Sequence, residues 1–195
     1  ADPRLPIYAQ TINGGTGSTY VGNVPGVKPA AAAGISSLGT NILSPTFPGV
    51  IMSYAQQQFL IAEAINEGYV AGGLTAAETA YKSGITASAA QFGVTASMSA
   101  YLVNPLVTFG TQADAREKIA EQTWIALYGQ GFEAWTEWRR TKYPVLSPVA
   151  NAAIPSIPLR LLYNSLEASL NKANYEAAKA TLNNGDNLTS KLIWN

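Results

Sequence analysis

The chain has 195 residues, 47% of them hydrophobic and 10% aromatic, enough to bury a core of ordinary size as one domain or part of one. Twelve basic residues balance twelve acidic ones, with no basic run beyond Arg139-Arg140, which speaks against nucleic-acid binding by phosphate neutralisation. Histidine and cysteine are absent, which excludes imidazole and thiolate catalysis and the usual zinc ligands, so no metal or cofactor is expected.

Charged residues make up 12% of the chain, about half the usual share. A surface covered by Asn, Gln, Ser, Thr and Tyr suits neutral polar ligands. No apolar run reaches the roughly 18 residues that a bilayer-spanning helix needs.

Residues 1–50 are rich in Gly, Pro, Ser, Thr and Ala and keep neither helical nor strand periodicity for long. They read as an extended loop, of a length that normally needs another surface to hold it. Within it, Asn13-Gly14-Gly15-Thr16-Gly17-Ser18 lacks the Lys-Ser/Thr pair and following helix of a phosphate-binding loop, so it reads as flexible connection.

Ser53 caps a helix that starts at Tyr54, with Gln56 completing a capping box, and the helix stops near Gly68. Thr75 and Glu78 form a second capping box, and the helix behind it places Ala77, Tyr81, Gly84 and Ile85 on one face before Phe92-Gly93. The pattern Ala77-x-x-x-Tyr81-x-x-Gly84 is that of the second helix of a tetratricopeptide repeat, where small residues admit a close partner.

A third helix starts near Asp114 and runs to Thr141 with a bend at Gly129 and Gly131. Along it Trp124, Tyr128, Phe132, Trp135 and Trp138 fall on one stripe, which must be buried. Glu137 and Arg140 can pair, and Arg139 can lie on the Trp135 indole.

Pro144, Pro148, Pro155 and Pro158 then impose an irregular segment. A short helix over 163–171 and a last one over 174–180, stopped by Asn183-Asn184-Gly185, complete an all-α chain with long loops.

Taken in order, these segments resemble the SusD/RagB-like proteins, surface nutrient-binding lipoproteins of Bacteroidetes. Residues 124–144 match a pattern W-x-A-L-x-x-x-G-x-E-A-W-x-x-W-R-R-T-x-Y-P. Ile154-Pro155, Arg160, Tyr163, Glu167 and Asn171 follow, then Lys191-Leu-Ile-Trp-Asn195. Asp2-Pro-Arg-Leu-Pro6 and residues 54–68 resemble it too. Departures are Pro158 and the two residues between it and Pro155, Asn164 in place of proline, and Ile193-Trp194-Asn195 in place of W-W-D.

The resemblance implies tetratricopeptide-like helix pairs. It makes residues 1–195 the C-terminal portion of a longer protein, with a loop region 1–50 and a helical part 51–195. Upstream parts would supply further helix pairs and a lipid anchor to the outer membrane. It also implies non-enzymatic capture of an oligosaccharide for a SusC-like TonB-dependent outer-membrane transporter. The aromatic stripe, Arg139, Arg140, Arg160 and Glu167 are then structural, and Glu133 joins the two arginines in a network at the core edge.

Sugar recognition needs exposed aromatic faces and planar amides. Tyr8, Asn13, Tyr20 and Asn23 of the opening loop are the candidates of that type. Two other functions stay open at this point: a helical adaptor for a partner protein, and a glycoside hydrolase using Glu133 and Glu137, one helical turn apart, as its two carboxylates. Glu at i and i+4 is also ordinary solvated helix surface.

Overall fold

Ser53 initiates the first long helix. A computed structural model of the chain describes residues 1–25, 31–94, 98–149, 152 and 154–194; Ala30 of the alanine-rich stretch and Asn195 of the C-terminal motif lie outside them. The Ser53 hydroxyl accepts from the Gln56 amide at 3.1 Å, opening the helix over Tyr54–Asn66. The return half of the capping box is not made, because the Gln56 Oε1 is buried without a partner.

Regular elements among the described residues are all helical: α1 (Leu5–Tyr8), α2 (Tyr54–Asn66), α3 (Gly73–Gln91), α4 (Met98–Leu102), α5 (Gln112–Ala126), α6 (Gly131–Thr141), α7 (Glu167–Leu170) and α8 (Lys172–Ala180), with a 3-10 turn at Ala32–Gly34. Among the described residues sheet is limited to one isolated antiparallel bridge, Ala9 with Leu38. The chain divides into two compact units, Ala1–Pro144 and Val145–Asn195.

In the first unit, α2 and α3 pack as a hairpin and α5 closes the core over them. Phe59, Tyr81, Ile85 and Ile119 are almost fully buried, each contributing about 1.5–3 kcal/mol of apolar burial as an upper estimate. Alanine fills most of the remaining core positions, Ala55, Ala62, Ala89 and Ala115 among them, so the helices approach closely. Ala77, Tyr81, Gly84 and Ile85 are buried together on α3 as the spacing predicts.

The second capping box does not form. Helix α3 starts at Gly73, two residues ahead of Thr75, and its N-cap Gly72 has φ +156° and no side-chain bond. Thr75 is therefore inside the helix, its carbonyl accepting from Thr79 Oγ1 at 2.9 Å. Glu78 instead accepts from the Phe109 amide at 3.2 Å and pairs with Lys82 at 3.0 Å. The tight turn after α2 sets this start, and a local sequence pattern does not encode it. Helix α5 starts at Gln112, where Thr111 caps it by accepting from the Asp114 amide at 3.1 Å.

The predicted third helix is two helices. Between α5 and α6 the chain turns over residues 127–130, with Gly129 at φ +85°, a left-handed conformation that glycine adopts without the cost a Cβ would bring. That residue resets the helical phase, so the count of 3.6 residues per turn does not carry from Trp124 to Trp138. Trp138 is buried, Trp124, Tyr128 and Trp135 are half-buried, and Phe132 is 77% exposed. The single buried stripe is thus broken in its middle.

Residues 1–8 are not loose. The Arg4 guanidinium is fully buried and donates to Asp2 at 2.6 Å, Ser88 at 3.0 Å and Gln122 at 2.5 Å. Tyr101 donates to the Asp2 carboxylate at 3.0 Å and accepts from Gln122 at 3.0 Å, so the opening segment is tied to α3, α4 and α5 at once. Beyond it, Gln10 N–H bonds the Ser37 carbonyl, Ile12 N–H that of Thr19, and Gly39 N–H that of Tyr8.

The second unit is built around Arg160. Its guanidinium meets Asp186 at 2.5 Å and lies over the Tyr163 ring, 4.7 Å from the centroid, while Tyr175 donates to Asp186 at 3.2 Å. Glu167 accepts from Asn171 Nδ2 at 2.9 Å. The helix expected over 163–171 is confined to Glu167–Leu170, and α8 starts two residues earlier than expected.

Candidate functional site

Tyr8 is buried, not presented to solvent. Its ring stacks on Tyr128 with centroids 4.3 Å apart and meets Phe92 edge-on at 4.9 Å, and the Tyr128 hydroxyl donates to its carbonyl at 2.8 Å. Burial pushes the Tyr8 hydroxyl pKa up, against the opposing pull of Arg4. Its ring is committed to packing, because the network that anchors Arg4 carries α1 into the core. Asn13, at φ +57°, and Asn23 are exposed, and Tyr20 is 38% exposed. All three lie on the opening loop, and none lines the cleft described next.

That cleft, of about 480 Å³, lies between residues 47–51 and the 128–133 turn, with Gln91 from the end of α3 at its side. Two local features create it. Pro48 and Gly49 hold one wall out of helix, and the left-handed Gly129 swings α6 away from the axis of α5. The break leaves Phe132 at the start of α6 with its ring in solvent, while Phe47 is held by stacking on Phe92 at 6.4 Å and 16°.

Polar groups in the lining are few. They include the amides of Gln91 and Gln130 and the carboxylate of Glu133 in the first turn of α6. Gln130, the N-cap of α6, makes no side-chain capping bond, and its Oε1 is buried without a partner. The combination of an exposed aromatic face with planar amides suits a ligand that is apolar on one side and hydroxylated at its edge.

Glu133 and Glu137 do not converge on one cavity. Glu133 lines the cleft and is exposed, whereas Glu137 is bonded to Arg140 at 2.9 Å. Arg140 also grips Glu63 of α2 through its Nη2 at 2.7 Å, and Arg116 of α5 meets Glu67, just past the end of α2, at 2.5 Å. Burial pushes the Glu137 carboxyl above its ordinary value, and Arg140 opposes this. The network at the core edge is therefore Glu63, Arg140 and Glu137. Glu133 stands outside it, and Arg139 lies over Trp135 at 3.8 Å as the spacing predicts.

A second cavity of about 470 Å³ runs along α1 and the end of α5, lined by Leu5, Tyr8, Trp124, Leu127 and Ala134 among others. Its lining is mainly apolar, with Tyr8, Trp124 and Tyr128 the residues that carry a polar side-chain group. Among the described residues no group of His, Cys, Asp and Glu could hold a metal ion, and no helix is long and apolar enough to cross a membrane.

A family model described as "Starch-binding associating with outer membrane" matches residues 1–164. The chain belongs to the SusD-like family. Among solved structures it is similar to a chitin-binding protein, at 32% identity and TM-score 0.83, over 99% of this chain and 46% of that one. It is also similar to a SusD-like protein of Bacteroidetes, at 30% identity and TM-score 0.75, over 87% of this chain and 35% of that one. A SusD homologue from Bacteroides fragilis follows at 26% identity and TM-score 0.80, over 99% and 48%. No curated protein matches the sequence.

The SusD-like fold is all-α with tetratricopeptide-like helix pairs, and α2 with α3 is such a pair here. This chain spans between 35% and 48% of the length of those three relatives. The family model's description is of starch binding, and one of these relatives is a chitin-binding protein.

Sequence reasoning missed the cleft. The sequence places Phe132 on the buried stripe only if helical counting runs unbroken across Gly129-Gln130-Gly131. Two glycines flanking one residue were the available signal, since a glycine pair of that kind marks a break as readily as a bend. Gln91 and Phe47 carry no local signal, being brought to the cleft by tertiary packing alone.

Proposed function

We propose that the chain is the C-terminal portion of a cell-surface glycan-binding protein. It captures an oligosaccharide without chemistry and delivers it to a SusC-like TonB-dependent outer-membrane transporter. Anchorage is by a lipid on an N-terminal part outside this chain. Within it, the cleft is a glycan contact, with Phe132 stacking on a pyranose face and the Gln91 and Gln130 amides meeting hydroxyls. Asn13, Tyr20 and Asn23 on the opening loop make further contacts, while Tyr8 acts only by packing on Tyr128 and Phe92.

One observation carries this reading: a phenylalanine 77% exposed at the mouth of a cleft with two glutamines in its lining. Ile51, 95% exposed, lines the same cleft, so the exposed apolar surface there is shared by two side chains and not by a single scattered ring. Family membership and likeness to a chitin-binding relative support carbohydrate as the ligand.

Isothermal titration with neutral oligosaccharides, repeated on Phe132→Ala, tests the binding site. Loss of affinity in a variant of unchanged stability supports the cleft, and an unaltered affinity rejects it. Purification of the tagged gene product from outer membranes in mild detergent tests delivery. A large β-barrel protein at near-equal amount supports it, and recovery of the protein alone rejects it.

A further inference from the structure

We infer that the cleft selects its sugar by charge: it favours amino-sugar oligosaccharides with a free ammonium over neutral ones, and turns away uronate or sulfated ones, through Glu133. This rests on the cleft being the glycan contact proposed above. Among the described residues that line it, Glu133 alone carries a charge. It is exposed, so its carboxylate meets a ligand before that ligand is desolvated.

No cation of α6 cancels that charge. Arg139 and Arg140 are six and seven residues further on, about 10 Å along the axis at 1.5 Å per residue. Arg139 lies over Trp135, and Arg140 is held between Glu63 and Glu137. The opposing term is the start of α6 itself. Its first N–H groups lack intrahelical acceptors, and its end carries roughly half a positive charge. Glu133 sits in that first turn. A full negative charge exceeds half a positive one, so the cleft mouth is net negative and anionic sugars are repelled.

The geometry also predicts a reversal. Without the Glu133 carboxylate, the helix start would be the only charge left at the cleft, and it favours anions. Glu133 thus acts as the sign-setting group of the site, in contact with substrate and not as a catalyst. An exposed pair of this kind gives about a two- to fivefold preference at low salt, which fades as ionic strength rises.

The test titrates the purified protein with three pentasaccharides of one linkage, made of glucose, glucosamine and glucuronate, at low and high salt. Glu133→Gln and Phe132→Ala are run beside it. The expected result is glucosamine tightest by about two- to fivefold and glucuronate weakest. Glu133→Gln should abolish the first preference and improve glucuronate binding, while Phe132→Ala weakens all three alike. If Phe132→Ala weakens all three but glucuronate matches glucose, or Glu133→Gln leaves the order unchanged, charge selection is overturned and the cleft remains the site. If none of the three binds, or Phe132→Ala has no effect, the cleft reading falls and this inference with it.

Discussion

Phe59 of α2 lies so close against Gly84 of α3 that a Cβ at position 84 would come within 2.7 Å of its ring. Both residues are buried. The helix pair is spaced by the absence of a side chain, and the aromatic ring fills the room that this leaves.

Gly84→Ala is therefore expected to destabilise the protein. Alanine gains up to about 1 kcal/mol of helix propensity over glycine, but forcing a methyl into a filled core costs about 1–3 kcal/mol. The ring cannot retreat, being packed near Tyr81 at 6.1 Å. Urea unfolding should give a net loss of up to about 2 kcal/mol, and a larger one for Gly84→Val. An alanine variant as stable as the parent would show that the contact is slack.

Removing Arg4 should be among the most damaging single changes. Arg4→Met leaves the Asp2 carboxylate, Ser88 and Gln122 without the buried cation they share, at a cost of about 3–5 kcal/mol for breaking a buried pair. Chemical denaturation of the variant measures it. A loss below about 1 kcal/mol, the level of a surface pair, would place the network outside the core.

Asp2 gives the same network a pH dependence. Burial raises its pKa, but the hydrogen bonds and charge of Arg4 together outweigh this and hold it below the ordinary value. A depressed carboxylate contributes stability that is present above the unfolded pKa, near 3.9, and is lost as pH falls through the folded value. Stability should thus decline below about pH 4, and Asp2→Asn should cost more at pH 7 than at pH 2.5. Equal costs at both would show that the charge of Asp2 is not what stabilises.

Arg140 joins α6 to α2 through Glu63 while holding Glu137. Arg140→Ala leaves two carboxylates facing each other. Because Arg140 is 38% exposed, the expected cost is about 1–2 kcal/mol and not that of a buried pair. A double-mutant cycle with Glu63→Gln should be non-additive, the second change costing less once the first is made. Strict additivity would dissolve the network into independent surface charges.

Phe132 and Trp138, predicted as one stripe, should separate in experiment. Phe132→Ala is expected to change stability by no more than about 0.5 kcal/mol, as at other exposed positions. Trp138→Ala removes a buried indole whose N–H donates to the Pro144 carbonyl at 3.1 Å, and should cost about 3–5 kcal/mol. Thermal unfolding of the two variants decides it.

What the sequence by itself determined was everything that depends on neighbours three or four residues apart. The Ser53 cap, the buried face through Tyr81 and Gly84, the Glu137–Arg140 pair and the Arg139–Trp135 stack all follow from helical spacing. The ordered aromatic and arginine motifs identified the family, because such a string recurs only where the same helices must meet.

Tertiary structure decided the rest. Arg4 finds partners 84 and 118 residues away, and this is what turns Tyr8 from an exposed candidate into a packed one. The start of α3 at Gly73 was set by the turn before it, not by Thr75 and Glu78. The cleft is assembled from residues 47–51, Gln91 and 128–133, three segments that no local pattern relates. Helix phase is a local property only while φ stays negative and regular. One left-handed glycine at 129 ends that regularity, and beyond it the packing of the whole unit sets which side chains face solvent.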